Sequence, residues 1–393
     1  MNRAIIFIAA LPAWAQLAVR GDLVHTMAGA PIRDGVVLVR DGKIERVGPA
    51  ASTPIPTGWK TVTAKVVTPG LVDAHATVGL TGYLNQPHDQ EQVERSSPMQ
   101  PELRAVDAYD PSERLVEYVR TLGVTTVHTG HGPGILISGQ TMIVKTAGNS
   151  VLKPAAMVAA TLGDDAKDAA KQPGTRGRMI AMLRGELIKA QDYAKKMENA
   201  DASKRPARDL RMDAFASLLK GEMPLLVTVN RARDIATAIR VGKEFGLKLI
   251  LDGVAEAPAM IAEIKASGYP VIVHPTMQRS GGDTENLSFT TASVLRASGI
   301  PFALQSGFEG YVPKTRVVLF EAAWAASNGL TFDQALASVT IDAARLLGVA
   351  VRVGSLEAGK DADLALYDGD PFEYATHCTG VVIDGKQVSG ATI

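Results

Sequence analysis

Histidines at the ends of short apolar runs are the residues in this sequence best suited to chemistry. His75 lies near the end of the segment 67–77 (VTPGLVDAHAT), and Thr77 follows two residues later. Two imidazoles at this spacing would form a metal-binding pair, because zinc-like ions favour imidazole, thiolate and carboxylate ligands. Thr77 supplies a neutral hydroxyl, which is a poor ligand. The segment therefore offers one metal-binding side chain, His75.

A second group of histidines follows the predicted strand 124–127. His128 and His131 lie three residues apart in the glycine-rich segment 128–134 (HTGHGPG), which predicts a loop. With His75 they would surround one divalent metal such as zinc, provided that the strands bring them together. The alternative is a tight loop whose histidines satisfy backbone groups. Neither a carboxylate nor a cysteine stands nearby at metal-motif spacing, so we expect no metal or other cofactor.

The elements that must position these residues alternate between strands and helices from Leu225 onward. The predicted strands are 225–229, 248–251, 271–274 and 301–305, and the predicted helices lie near 233–245, 256–267, 292–298 and 315–327. Such alternation predicts right-handed βαβ units and a parallel sheet. The charged segment 163–220 interrupts the pattern. It is predicted to be a solvated helical excursion, with a mobile lid over the pocket as the alternative.

Both ends of the chain carry the same hairpin signal. Residues 35–47 form two strand-like runs around Asp41-Gly42, and residues 362–386 include another such turn at Asp384-Gly385. An Asp-Gly pair favours a hairpin, because glycine readily takes the positive φ of a primed turn. The two ends are therefore predicted to supply β structure.

Residues 1–15 resemble a secretory signal. Arg3 precedes a short apolar run, and an Ala-x-Ala cleavage site ends at Ala15. The run is too short for a membrane anchor. We expect export, to a periplasm, with a buried first strand as the alternative.

Charge and composition exclude two classes of partner. Lys+Arg and Asp+Glu both number 41, so the formal net charge is zero. A nucleic-acid or polybasic membrane surface needs an excess of basic residues, and neither partner is expected. The single cysteine, Cys378, cannot form an internal disulfide or a thiolate cluster.

The segment 67–77 resembles the first barrel strand of the metal-dependent amidohydrolases, which reads Pro-Gly, two hydrophobic residues, then Asp-x-His-x-His. Segments 340–348 and 353–364 resemble the closing signature of that superfamily, and the nearest look-alikes are its exported, imidazolonepropionase-like members. The resemblance implies an α/β fold. A (β/α)8 TIM-like barrel would span residues 69–345. A small β-sandwich domain would combine residues 16–68 and 346–393, and a homo-oligomer is expected by analogy.

The same resemblance implies that the family metal centre has degenerated. Thr228 and Asn230 stand where strand five of relatives carries His-x-His. Gly253 falls on the strand-six histidine, Gly307 on the strand-eight aspartate, and Ala159 or a neighbour on the bridging position of strand four. Only His75 remains of the recognisable ligands, and one imidazole implies weak metal binding.

The sequence therefore predicts a non-hydrolytic, ligand-binding or structural homologue (a pseudoenzyme) with a small polar or amide-bearing ligand. The alternative is a hydrolase of non-peptide or dipeptide C–N bonds that acts through a rebuilt site of His75, His128 and His131. The predicted pocket residues are His75, Thr77, His128, His131, Thr228, Asn230, Asp252, His274 and Gln305. For His274, at a strand end, a hydrogen-bonded core histidine is an equal alternative.

Overall fold

The computed structural model describes residues 16–82, 86–148, 150–168, 173–276, 278–308 and 317–390. The predicted signal segment 1–15, with its cleavage site after Ala15, lies outside these residues. The strands are β1 Leu17–Val24, β2 Ile32–Arg40, β3 Lys43–Pro49, β4 Lys60–Pro69, β5 Leu71–Ala76, β6 Val124–Thr129, β7 Ile137–Gln140, β8 Met142–Lys145, β9 Val151–Lys153, β10 Val158–Thr161, β11 Leu225–Val229, β12 Leu249–Gly253, β13 Val271–Val273, β14 Phe302–Ala303, β15 Leu364–Tyr367, β16 Cys378–Ile383 and β17 Lys386–Gly390. The helices are α1 Arg114–Thr121, α2 Arg176–Met197, α3 Leu210–Leu219, α4 Ala232–Phe245, α5 Ile261–Ser267, α6 Thr291–Ala297, α7 Val318–Ser327, α8 Phe332–Ser338 and α9 Ile341–Leu346.

Strands from both ends of the chain form one seven-stranded sheet, in the order β17-β16-β15-β4-β1-β2-β3. The two predicted Asp-Gly turns are present, because Asp41, Gly42, Asp384 and Gly385 all have positive φ. The turns lie against each other, with the backbone of Gly42 close to that of Gly385. The sheet is therefore curled. It is one continuous sheet, whereas a sandwich would have two separate sheets.

A second sheet has the order β14-β13-β12-β11-β10-β7, and strands β10 to β14 run parallel. The alternation of short apolar strands with α4, α5 and α6 produces this arrangement, as predicted from the sequence. A third sheet has the order β5-β6-β8-β9, in which β5 and β6 are parallel.

Backbone hydrogen bonds connect the second and third sheets at one edge. Ala74 donates to the carbonyl of Leu304 (3.3 Å), and Gly307 donates to that of His75 (3.0 Å). At the other edge, β7 and β8 are separated only by Thr141. β7 pairs antiparallel with β10, and β8 pairs antiparallel with β6. The mixed α/β prediction is confirmed. The described residues do not form a continuous ladder of eight parallel strands.

The strands bury both faces, as parallel strands covered by helices must. One face packs against the helices. The other face carries an apolar layer, and α9 and the residues after it cover this layer on the side away from the carboxyl ends of the strands. Its strand members are Val72, Leu226, Ile250, Ile272 and Ala303. We call this apolar layer the floor, because the polar residues described below lie directly on it.

The segment 163–220 is helical, as predicted, but it is less solvated than expected. α2 buries Met179, Leu183 and Leu187 on one side, and α3 packs beside it with Phe215 buried. Its remaining faces are exposed and charged. Among the residues described, no helix is both long and apolar enough to cross a membrane.

A fully buried lysine connects the curled sheet to β8. The ammonium of Lys145 lies 2.7 Å from Asp361 Oδ2 and 3.0 Å from Asp363 Oδ2, and it also pairs with Asp384. Asp361 is shared with Lys43 and with Arg352, whose Nη2 lies 2.7 Å away. Burial alone would lower the pKa of Lys145, but the three carboxylates raise it. This ion cluster is a structural contact between the two parts of the chain.

Candidate functional site

The candidate site is a polar layer directly above the apolar floor. Side chains two residues apart on a strand point to the same face. Residues two positions beyond the floor residues therefore stand one layer nearer the carboxyl ends of the strands. These residues are Thr228, Asp252, His274 and Gln305.

Asp252 is the centre of this layer. Its Oδ2 accepts a hydrogen bond from the Thr228 hydroxyl (2.6 Å), and its Oδ1 accepts one from Gln305 Nε2 (2.7 Å). His75 Nδ1 lies 3.2 Å from the same Oδ1. Gln305 Nε2 also donates to the carbonyl of Val273 (3.0 Å). Asp252 and its partners thus link β5, β11, β12, β13 and the residues after β14.

The pairing of His75 with Asp252 favours the charged form of both groups. Burial lowers the pKa of His75, but Asp252 and Asp73 more than offset this, so its pKa is raised. Burial would raise the pKa of Asp252, but His75, Thr228 and Gln305 lower it overall. Nε2 of His75 makes no hydrogen bond of normal geometry within the described chain and faces the backbone of His131.

Asp73, two residues before His75, fixes the irregular end of β5. Its Oδ1 accepts backbone hydrogen bonds from Ser306 (3.0 Å) and His75 (3.3 Å). Burial raises the pKa of Asp73 to about 6. The carboxylate therefore holds the strand-one and strand-eight positions together.

His128 differs from its predicted position, because it lies within β6 and not in the glycine-rich loop. The strand continues through Thr129, since Thr126 to Thr129 pair with β8. Nδ1 of His128 contacts the carbonyl of Ala74 (2.6 Å), and Nε2 contacts the Thr141 hydroxyl (2.7 Å). Burial, and then the neighbouring His75, lower the pKa of His128 to about 3. It is a neutral imidazole with both nitrogens engaged.

His131 lies in the loop, as predicted, and is 5% exposed. Neither ring nitrogen makes a hydrogen bond of normal geometry with another described residue. The ring packs against Gly139, whose φ is +139° and where a Cβ would collide with the imidazole. Burial lowers the pKa of His131 to about 4, so the ring is neutral at physiological pH.

Three other predicted pocket residues form hydrogen bonds with groups near them and not with Asp252. Thr77 accepts hydrogen bonds from the Thr81 hydroxyl at both its carbonyl (2.8 Å) and its own hydroxyl (2.5 Å). Asn230 Oδ1 accepts a hydrogen bond from the backbone of Ala255 (3.3 Å). His274 contacts the carbonyl of Pro275 and the Thr291 hydroxyl, at 3.2 and 3.1 Å. His274 is thus a hydrogen-bonded core histidine, and the structure does not bring it into contact with Asp252 or His75.

The described side chains differ in what they could offer a catalytic metal. Among the residues the structure describes, no three His, Cys, Asp or Glu side chains are arranged to hold one. In the alternative set of His75, His128 and His131, His128 has no free lone pair, because both of its ring nitrogens are engaged. The Nδ1 of His75 faces Asp252, which leaves only its Nε2 for a ligand.

Sequence reasoning missed two residues of the layer. Asp73 was visible in the motif but was not assigned a role, and its position two residues before His75 is the signal that identifies it. Thr141 gave no such signal. It reaches His128 only because the chain breaks between β7 and β8 at that residue.

Comparisons with known proteins find chains of similar sequence and fold. A sequence model of the Amidohydrolase family matches residues 314–389. The imidazolonepropionase of Rhizorhabdus wittichii is 26% identical over 378 residues, which cover 87% of this chain and 91% of that protein. The imidazolonepropionase of Stenotrophomonas maltophilia is 26% identical over 379 residues, covering 86% and 87%. A crystal structure of an amidohydrolase from Thermotoga maritima superposes with a TM-score of 0.90 at 27% identity, covering 95% of this chain and all of that one.

Proposed function

The chain belongs to the amidohydrolase superfamily, in its imidazolonepropionase-like branch, and from this premise we propose that it binds a small, amide-bearing molecule without hydrolysing it. In this proposal the second and third sheets together make a TIM-like barrel. The binding site is at the carboxyl ends of its strands, where barrel sites occur. Hydrolytic relatives generate hydroxide on a bound metal at this place.

One observation carries the proposal: neighbouring side chains already occupy both carboxylate oxygens of Asp252. Both carboxylate oxygens of Asp252 accept hydrogen bonds, and His75 completes the arrangement. A metal would need these groups as ligands, with free lone pairs directed at a common point. Hydrogen-bond donors stand there instead, on Thr228 and Gln305. The chemistry of the donor set therefore favours binding over metal-dependent turnover.

The chemical class of ligand follows from the groups left over. Nε2 of His75 and both ring nitrogens of His131 make no hydrogen bond of normal geometry within the described residues, although the two rings approach the backbone of His131 and Leu103 respectively. Buried polar groups normally have partners, so a bound molecule or water that pairs with these nitrogens would be stabilised. An amide presents both donors and acceptors, which suits the neutral imidazole of His131.

A second candidate function is metal-independent hydrolysis of a C–N bond. It is favoured by Asp252 on Nδ1 of His75, because a carboxylate that orients an imidazole in this way supports general base catalysis at Nε2. His128 would have no direct part, since both its nitrogens are engaged, and His131 would contact the substrate.

Export to a periplasm and assembly into a homo-oligomer remain parts of the proposal that rest on the sequence alone. The role of partner subunit to an active relative is compatible with both.

Binding and turnover can be measured together with glycylproline, 2-pyrrolidinone and acetamide as probes. We expect at least one probe to raise the unfolding temperature while no hydrolysis product accumulates. His131→Leu should abolish the shift, and His377→Leu, a change at an exposed histidine, should leave it intact. Product formation that His75→Ala eliminates would contradict the proposal and support the second candidate.

A further inference from the structure

Charged residues at the carboxyl ends of β10, β11 and β13 form one connected network. Asp164 follows β10, Arg231 and Asp234 follow β11, and Asp283 and Glu285 follow β13. Arg176, the first residue of α2, joins them. We call these six residues the mouth network, because they stand at the same strand ends as Asp252 and His75.

Asp283 is the buried centre of the mouth network. Its Oδ1 accepts hydrogen bonds from Arg231 Nε (2.9 Å) and Arg176 Nη2 (3.5 Å), and its Oδ2 accepts one from the backbone of Asp164. The side chain is only 6% exposed. One carboxylate therefore connects three loops that are distant in sequence.

The two arginines extend the connections outward. Arg176 donates to Asp234 (2.8 Å) and to Asp164 (2.9 Å). Arg231 donates to Glu285 (2.9 Å) and to the carbonyl of Gly282 (2.8 Å). The carboxylate of Asp234 first, and then that of Asp164, raise the pKa of Arg176, which stays charged at all relevant pH values.

The mouth network is attached directly to the candidate site. Arg231 is the neighbour of Asn230, and Asp164 comes three residues after Thr161. The Thr161 hydroxyl accepts a hydrogen bond from Gly134 in the loop that carries His131 (3.2 Å). Leu162 donates to the carbonyl of Thr228 (3.0 Å), whose side chain binds Asp252. Movement of these loops would therefore change the surroundings of His131.

We propose that the mouth network is a latch that holds the loops closed over the site, and that a ligand reaches His131 only when the latch opens. The side chains of His75, His131 and Asp252 are buried, so a molecule from solvent needs a rearrangement to reach them. Loops with few apolar contacts and partly exposed ion pairs open more easily than core strands. A lid in the segment 163–220 was one of the two alternatives in the sequence, and Asp164 and Arg176 supply the contacts that such a lid needs.

The latch would control the access of a ligand to the binding site, so this inference rests on the proposed binding function. The test of the latch needs no ligand, so the latch and the binding function can be refuted independently of each other. Diethyl pyrocarbonate modifies neutral histidines, and mass spectrometry measures the rate at each position in the full-length protein. His131 is neutral at pH 7, because burial lowers its pKa to about 4. Its rate of modification reports how often the mouth opens.

We expect Asp283→Asn to raise the modification rate of His131 at neutral pH by about tenfold or more, because two arginines lose a buried partner. Glu285→Gln, which removes only an exposed partner, should raise it about two- to fivefold. In the unmodified sequence the rate should increase with salt up to about 1 M, since salt screens the exposed pairs.

Matched controls separate opening of the mouth from unfolding. Arg184→Gln breaks an exposed pair with Glu244 at the far end of α4, and it should leave the His131 rate unchanged. His128, which is fully buried with both nitrogens hydrogen-bonded, should stay unmodified in every variant. An unchanged His131 rate in both Asp283→Asn and Glu285→Gln would overturn the latch. So would a parallel increase at His131 and His128, which would mean global unfolding.

Discussion

A single carboxylate organises the chemistry of this protein at the level of residues. Asp252 receives hydrogen bonds from two strands and an ion pair from a third. In a hydrolytic relative, a metal would connect these positions. Here the connection is made by an imidazole, a hydroxyl and an amide. We therefore interpret the site as a hydrogen-bonded network that keeps the geometry of the mouth without a metal's reactivity.

The cost of removing Asp252 tests this interpretation. Asp252→Ala leaves a buried imidazole without its counter-ion and two donors without an acceptor, so we expect a loss of about 3–5 kcal/mol in the free energy of unfolding. Urea unfolding measures it. Asp22→Ala removes an exposed carboxylate on β1 and should change the stability by about 0.5 kcal/mol or less. Equal effects of the two variants would contradict the role of Asp252.

The pH dependence of that loss has a defined sign. The pKa of His75 is raised above its ordinary 6.5 in the folded state, so its contribution is complete below pH 6.5 and is lost as the pH rises through the folded value. The pKa of Asp252 is lowered from 3.8, so its contribution is complete above pH 3.8 and is lost as the pH falls through the folded value. The stability difference between the natural protein and Asp252→Ala should therefore be largest between pH 3.8 and pH 6.5. It should decrease at alkaline pH. A difference that grows at alkaline pH would refute the ion pair.

Restoring one histidine should not restore hydrolysis. Thr77→His recreates the His-x-His pair of strand one, but Thr228, Asn230, Gly253 and Gly307 still offer no imidazole or carboxylate at the other family positions. A zinc-loaded Thr77→His protein should release no product from glycylproline above the level of the natural protein. Robust metal-dependent release would show that the remaining ligands are present in a form that we have not recognised.

At the level of elements, the sequence predicted the local patterns well and the distant contacts poorly. β11 has the predicted bounds, and the two Asp-Gly turns have the predicted positive φ, because apolar run length and glycine are local signals. The predicted loop position of His128 was wrong, because pairing with β8 extends β6 into a glycine-rich segment. The contacts of Asp252 join residues up to 177 positions apart, from His75 to Asp252, and spacing in sequence carries no information about such distances.

The buried lysine at the end of β8 is a second contact that no pattern predicted. Lys145→Met removes the ammonium that Asp361, Asp363 and Asp384 share, so the buried carboxylate of Asp363 loses its cationic partner. We expect a loss of about 3–5 kcal/mol in the free energy of unfolding, measured in urea. Lys189→Met, at an exposed pair on α2, should cost about 1 kcal/mol or less. If the two losses are the same, the cluster does not hold the curled sheet to β8.

At the level of the whole molecule, the fold is that of the amidohydrolase superfamily, while the polar layer is the basis of the binding function that we propose. The TM-score of 0.90 to the Thermotoga maritima amidohydrolase reflects strands and helices that position side chains in the same way in many chemistries. Function depends on the side chains at the strand ends. In this chain several of those side chains bind one another, and the mouth network connects the loops that follow β10, β11 and β13.

Zinc binding tests the central claim most directly. The protein is incubated with zinc and desalted, its zinc content is determined by elemental mass spectrometry, and its unfolding temperature is measured with and without zinc. A site saturated at about 100 times its Kd would stabilise the fold by about 2.7 kcal/mol. We predict no retained zinc and no change in the unfolding temperature. Stoichiometric zinc that raises the unfolding temperature, with both effects lost in His75→Asn, would contradict a metal-independent site.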